Sequence, residues 1–124
     1  MTLKLNSDLR EDPRYPVTDV SVEVSGEGPS LSARVADISL NGALLDFADS
    51  PEVKPGDGLQ LRFRQGEVRS FSASARCVHV RDRRMGVEFL AFEAVDFESL
   101  TDLVGELRRA RVAHLLATRQ GRAV

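Results

Sequence analysis

The chain of 124 residues has no tryptophan, one tyrosine, one cysteine and two histidines. With Cys77 alone, an internal disulfide is excluded, and a reducing, cytoplasmic setting is expected. No apolar run approaches the ~20 residues that cross a bilayer. No apolar segment follows a basic start, so no secretory signal is expected. His79 and His114 fall on different predicted elements. There is no Cys/His cluster suited to zinc, no Ser/His/Asp or Cys/His grouping with supporting context, and no G-x-x-x-x-G-K-[ST] loop. The sequence therefore predicts no catalytic residue, no metal, no cofactor and no enzyme. A net charge of −2 disfavours the broad basic surface of a nucleic-acid polymer binder. Few aromatics remain for stacking single-stranded bases once the phenylalanines are placed inward.

What is present is an ordinary globular composition, 42% hydrophobic and 29% charged, at a length suited to one domain. Of 17 basic residues only Lys4 and Lys54 are lysine, which leaves fifteen arginines. Arginine presents a planar fork that pairs with phosphate and stacks on flat rings. Codon usage explains such a total equally well, so only the placement of the arginines is informative.

Residues 1–16 read as an extended, mobile lead, because Pro13 and Pro16 forbid a regular helix. From Val17 the pattern turns to period two. Val20, Val22 and Val24 alternate with Ser21 and Glu23, and Leu31, Ala33 and Val35 form the inward face of a second strand. Asp37 to Gly42 breaks the alternation, which resumes over 43–47, 59–63, 68–80 and 85–89, with a turn cluster at 25–29 and a loop at 48–58. In the long strand the inward set changes from Phe71, Ala73 and Ala75 to Val78 and Val80, which predicts a bulge. Cys77 is expected in the core. Six short strands over residues 17–95 point to an antiparallel barrel or sandwich, and full closure into a barrel would remove the sheet's edges. A helix over 96–119 follows, capped by Asp96 or Ser99, with Phe97, Leu100, Leu103, Val104, Leu107 and Leu115 on one face and Val112 and Leu116 outside it. His114 is expected to be partly buried. At about 34 Å that helix outruns a strand of about 17–20 Å, so its distal half overhangs the barrel. Residues 120–124 form a tail.

Two motifs carry chemistry. Arg10-Glu11-Asp12-Pro13-Arg14 sets two arginines four apart in the lead. Asp37-Ile38-Ser39-Leu40-Asn41-Gly42 sits at the break between strands. An arginine can pair with phosphate oxygens or lie against a purine. A carboxylate accepts the N1–H and N2–H donors of guanine, and a glycine permits a close approach. Each motif also has a plainer use: Arg10 and Arg14 as solvated charges, Asp37 and Ser39 as turn stabilisers, Gly42 as a turn glycine.

In this order, ahead of Gly86-Val87-Glu88-Phe89 in a last strand, the motifs resemble the RxxxR and [D/N]xSxxG signatures of the PilZ family, over residues 8–95. The resemblance implies a mostly β fold: a six-stranded antiparallel β-barrel with a long C-terminal α-helix. It implies a receptor for the second messenger cyclic di-GMP, with Arg10 and Arg14 on phosphate and base and with Asp37, Ser39 and Gly42 in a guanine pocket. His79 stands where many members carry an aromatic that stacks on a base; its plainer reading is a surface histidine on an outward strand face. Leu9 replaces an arginine that many members have, which implies one ligand molecule per site. Ligand binding is expected to order the arginine lead onto the barrel and so signal to an unidentified effector protein. A homodimer through the helix is compatible with the overhang. The alternative is an adaptor of the same fold that does not bind the nucleotide.

Overall fold

The computed structural model describes the backbone of residues 2–4 and 13–121 and the side chains of residues 13–119. Period-two burial builds its sheet. In β3 (Ser21–Ser25) Val22 and Val24 are buried while Ser21 and Glu23 face out. The same rule governs β4 (Leu31–Ile38), β5 (Gly42–Phe47), β6 (Gly58–Gln65), β7 (Arg69–Arg81) and β8 (Arg84–Glu93), broken where the register shifts in the β4–β5 and β7–β8 pairs. These strands pair in the order β8-β5-β4-β3-β6-β7, every pair antiparallel, and β7 returns to β8. The result is a closed six-stranded barrel. Closure leaves the ring without a sticky edge.

Two short strands in the N-terminal segment complete the sheet. β8 extends past β5, and its projecting Ala91–Glu93 pairs with β1 (Thr2–Lys4). β4 extends past β3, and its projecting Asp37 and Ile38 pair with β2 (Tyr15–Pro16). Both satisfy backbone groups that a barrel strand would otherwise leave open. The end of the predicted mobile lead is thus paired. Tyr15 and Val17 are buried, and Val17 N–H donates to the Ala36 carbonyl at 3.2 Å.

The interior is organised by phenylalanine. Phe63 and Phe71 stack at 4.8 Å, Phe63 meets Phe89 edge-on, and Phe89, Phe92 and Phe97 continue the series into α1 (Ala94–Gly121). Such pairs add about 0.5–1.5 kcal/mol beyond area burial. Leu100 and Leu103 are fully buried against the barrel, with Val104 and Leu107 at the margin. There the burial ends. Leu115 is 54% exposed, and His114 is exposed rather than partly buried. The helix has run past the barrel, so nothing remains for them to pack on.

α1 follows Glu93 with no loop, two residues ahead of the predicted start. Asp96 therefore lies inside the first turn and does not cap it; its Oδ1 accepts the Ser72 N–H at 3.1 Å and ties the helix to β7. Arg69 of β7 pairs with Glu106 further along. The bulge in β7 falls between Cys77 and His79, one position from where the apolar pattern puts it. Cys77 takes the inward position and Val78 is 48% exposed.

The alternation of strand direction gives the barrel two distinct ends. The loops 26–30, 48–57 and 82–83 gather at one, and the turns 39–41 and 66–68 and the start of α1 gather at the other.

Candidate functional site

The site begins with a bulge. β4 shifts register against β5 between Val35 and Asp37. Without that shift Asp37 would follow Ala33 and Val35 into the core. With it, Ile38 turns inward, fully buried, and Asp37 turns out, 27% exposed at its side chain. Bulges commonly re-aim a side chain in this way.

β2 then delivers an arginine. Pro16 lies opposite Asp37 in the ladder, which brings Arg14 alongside. Arg14 Nη1 donates to Asp37 Oδ1 at 3.1 Å. The guanidinium also lies against Gly42: a Cβ there would sit 3.4 Å from Arg14 Nη2 and 2.3 Å from the Val87 carbonyl oxygen. Only a residue without Cβ lets β5 and β8 approach so closely at this point. Three motif residues, Arg14, Asp37 and Gly42, are therefore gathered at the α1 end of the barrel.

Ser39 sits beneath them and not among them. It has no exposed surface. Its hydroxyl donates to Asn41 Oδ1 at 2.6 Å and accepts the N–H groups of Asn41 and Gly42, each at 3.2 Å. Its own N–H donates to the Gly42 carbonyl at 2.9 Å. The reason is geometric: a turn of three residues between β4 and β5 leaves inward N–H groups that no strand can reach, and a serine hydroxyl serves them. Asn41, which the sequence reading passed over, completes the network, and its carbonyl accepts the Phe89 N–H at 2.9 Å. Arg10 lies outside the described residues.

His79 is reached across the sheet. Asp37 pairs with Leu44, Leu44 with Gly86, and Gly86 with His79, so one row of outward positions crosses β4, β5, β8 and β7. Three strand spacings make about 14 Å. The imidazole lies over Gly86, where a Cβ would be 2.2 Å from its Cε1 and 2.6 Å from its Nδ1. A glycine inside a strand is the sequence sign of such an approach. The next row holds Gly42, Glu88 and Arg76, with Arg76 Nε donating to Glu88 Oε1 at 3.0 Å. Leu44 and His79 also edge a cavity of about 650 Å³ whose wall carries Arg81, Arg83 and Arg84 beside Asp46 and Asp82. The arrangement is a shallow outer face with a carboxylate and arginine at one side, a flat ring in the middle and three further arginines beyond. It suits a flat, anionic, hydrogen-bonding ligand. Among the described residues no cluster of His, Cys, Asp and Glu could hold a metal ion, and no helix is long and apolar enough to cross a membrane.

Several solved structures share this fold. The PilZ domain of CeSA from a cellulose-synthesizing bacterium aligns with a TM-score of 0.63 at 18% identity, over 77% of this chain and 98% of that one. The PilZ domain of Escherichia coli YcgR, solved with c-di-GMP, aligns at 0.69 and 16%, over 86% and 96%. Bacillus subtilis MotI/DgrA, an inhibitor of motility, aligns at 0.66 and 22%, over 84% of this chain and 51% of its own length, so this chain spans about half of that protein. At these identities the likeness is one of fold. No individual curated protein matches the sequence. The family model of the PilZ domain matches residues 8–106, a span that holds both arginine positions, the turn motif, the whole barrel and the buried part of α1. The chain belongs to the PilZ domain family.

Proposed function

We propose that this chain is a cyclic di-GMP receptor that acts through a partner protein and performs no chemistry on its ligand. The observation that carries the reading is the Arg14–Asp37 pair, 3.1 Å apart over Gly42, on a barrel whose fold is shared with the YcgR domain solved with c-di-GMP. Arg14 supplies a fork for phosphate, and Arg10 a second cation. Asp37 accepts from a guanine edge, and Gly42 admits the ligand close to the backbone. His79, packed over Gly86, offers a ring for stacking. Ser39 acts from below by fixing the turn. Arg14 and Asp37 already satisfy each other, so a ligand must exchange part of that ion pair for its own contacts. The signal is the ordering of the N-terminal arginine segment on the barrel, and it passes on only if the partner binds the ordered state better than the free one. The expected setting is the bacterial cytoplasm.

The test is calorimetric titration of ligand-free protein with cyclic di-GMP. Saturable heat at one ligand per chain, lost in Arg14→Ala and in Asp37→Ala with the fold intact, supports the receptor. No heat and no thermal shift in the folded parent protein would sink it. The chain would then be an adaptor of this fold, a reading in which the Arg14–Asp37 pair is purely structural.

A further inference from the structure

Two surfaces at opposite ends of the molecule are complementary. The first is the distal half of α1. Between Leu107 and Arg119 there is no acidic residue, and Arg108, Arg109, Arg111 and Arg119 are all exposed. Val112, Leu115 and Leu116 are each about half exposed, at 48%, 54% and 51%. At about 100° per residue these three side chains share one arc with Arg108 and Arg119, flanked by Arg109 and Arg111. That arc is turned roughly a third of a turn from the face that buries Leu100, Leu103 and Leu107. The barrel therefore does not cover it.

The second surface is a cavity of about 740 Å³ at the far end of the barrel, among the loops 26–30 and 48–57. Val24, Leu31, Phe47, Val53 and Leu59 form its apolar floor. Its rim carries Glu27, Asp49, Glu52 and Asp57, and no cationic side chain lines it. Four carboxylates around an apolar floor match four arginines around an apolar stripe.

We infer that the distal half of α1 of one copy docks across this cavity in a second copy, head to tail. Pairing of α1 with α1 would set arginine against arginine, which like-charge repulsion opposes. The helix extends about 18 Å beyond Leu107, enough to lie across the cavity with its leucines down and its arginines on the rim. Helix and cavity lie at opposite ends of the molecule, and the contact inferred is the head-to-tail, heterologous one, which continues into rings or open chains, as against a reciprocal two-fold exchange of helices, which would stop at a dimer. The inference does not depend on nucleotide binding.

Sedimentation of the full chain from micromolar to near-millimolar concentration, at low and high salt, tests it. The expected result is a weight-average mass that climbs past the dimer with concentration and falls back towards the single chain in high salt, where surface charge pairs are screened. Arg108→Glu/Arg119→Glu and Asp49→Lys/Glu52→Lys, all exposed positions, are each expected to stay at the single-chain mass. The chain carrying all four changes regains assembly, because its charges are complementary again. Circular dichroism verifies that each variant is folded. A folded wild-type chain that stays single at every concentration overturns the inference. So does a species that stops at the dimer: helix-to-helix pairing if it ignores the cavity substitutions, a reciprocal two-fold exchange if it responds to them. Binding of α1 to anionic vesicles without self-assembly would overturn it too and assign the arginine face to a membrane.

Discussion

Ser39, Gly42 and Arg14 belong to the same two motifs yet do different physical work, and substitution separates them. Ser39→Ala leaves the Asn41 and Gly42 N–H groups and the Asn41 amide oxygen without their buried partner. Unsatisfied groups of this kind cost about 1–3 kcal/mol, so urea denaturation should show a clear loss of stability. In Gly42→Ala the new methyl meets the Val87 carbonyl oxygen, a backbone atom that cannot swing away. Overpacking of that type costs about 1–3 kcal/mol, and here it would also push apart the β5–β8 contact under Arg14. Arg14→Ala should behave in the opposite way. Its pair with Asp37 is half exposed and worth roughly 0.2–1 kcal/mol, so stability should barely change while cyclic di-GMP binding is lost. Equal loss of stability in Arg14→Ala and Ser39→Ala would refute this division. The sequence contains all three residue types but not the division: a serine that serves a ligand and one that serves a turn look alike until burial is known.

At the scale of elements, α1 has an anchoring half and a free half. Leu103→Ala removes a fully buried side chain between barrel and helix and should cost about 2–5 kcal/mol by thermal or chemical denaturation. Among the described residues a stop after Arg108 removes only exposed ones, so the barrel's unfolding midpoint should stay within about 2–3 °C of the parent's, because changes at solvated positions are usually worth within about 0.5 kcal/mol. A large loss on truncation would show that the distal half stabilises the single chain after all. This boundary was half legible. The 3.6-residue pattern of Phe97, Leu100, Leu103, Val104 and Leu107 named the buried face correctly, but it carried Leu115 along, because periodicity reports a face and not where the partner surface stops. The six barrel strands were legible for the same reason: period two is written in the residues themselves. β1 and β2 were not, because two or three residues are too few to show a period and their pairing depends on the projecting ends of β8 and β4. The bulge at Asp37 showed only as a break in alternation. That the break turns the carboxylate outward follows from the register, which only the fold supplies.

A single domain of this size is expected to open as one cooperative unit, and Cys77 reports on whether it does. Cys77 points inward and is 1% exposed, and its backbone bonds Gly56 and Asp57 at the end of the loop 48–57. Burial raises its pKa above the ordinary value of 9.0, and the nearby Asp57 carboxylate raises it further. Both disfavour the thiolate, so the folded chain holds the proton more tightly than the unfolded one. The consequence for stability has a definite sign. Below the ordinary thiol pKa both states are protonated and the full contribution is present. As pH rises past that value the unfolded state releases its proton first, so stability is lost progressively until the raised folded value is passed. Denaturation midpoints should therefore fall in the alkaline range for the parent chain, and Cys77→Ala should fall less over the same interval. The same burial should make the native thiol slow towards a disulfide reagent, reacting at the rate of barrel opening rather than at that of a free thiol. Because Cys77 sits in β7 opposite Val87, in the β7–β8 contact that closes the ring, a variant that loosens that contact, such as Gly86→Ala with its displaced His79 ring, should speed the reaction if the ring opens as one unit. An unchanged thiol rate in a variant shown to be less stable would mean that Cys77 is reached by a local fluctuation, and that the barrel yields in parts.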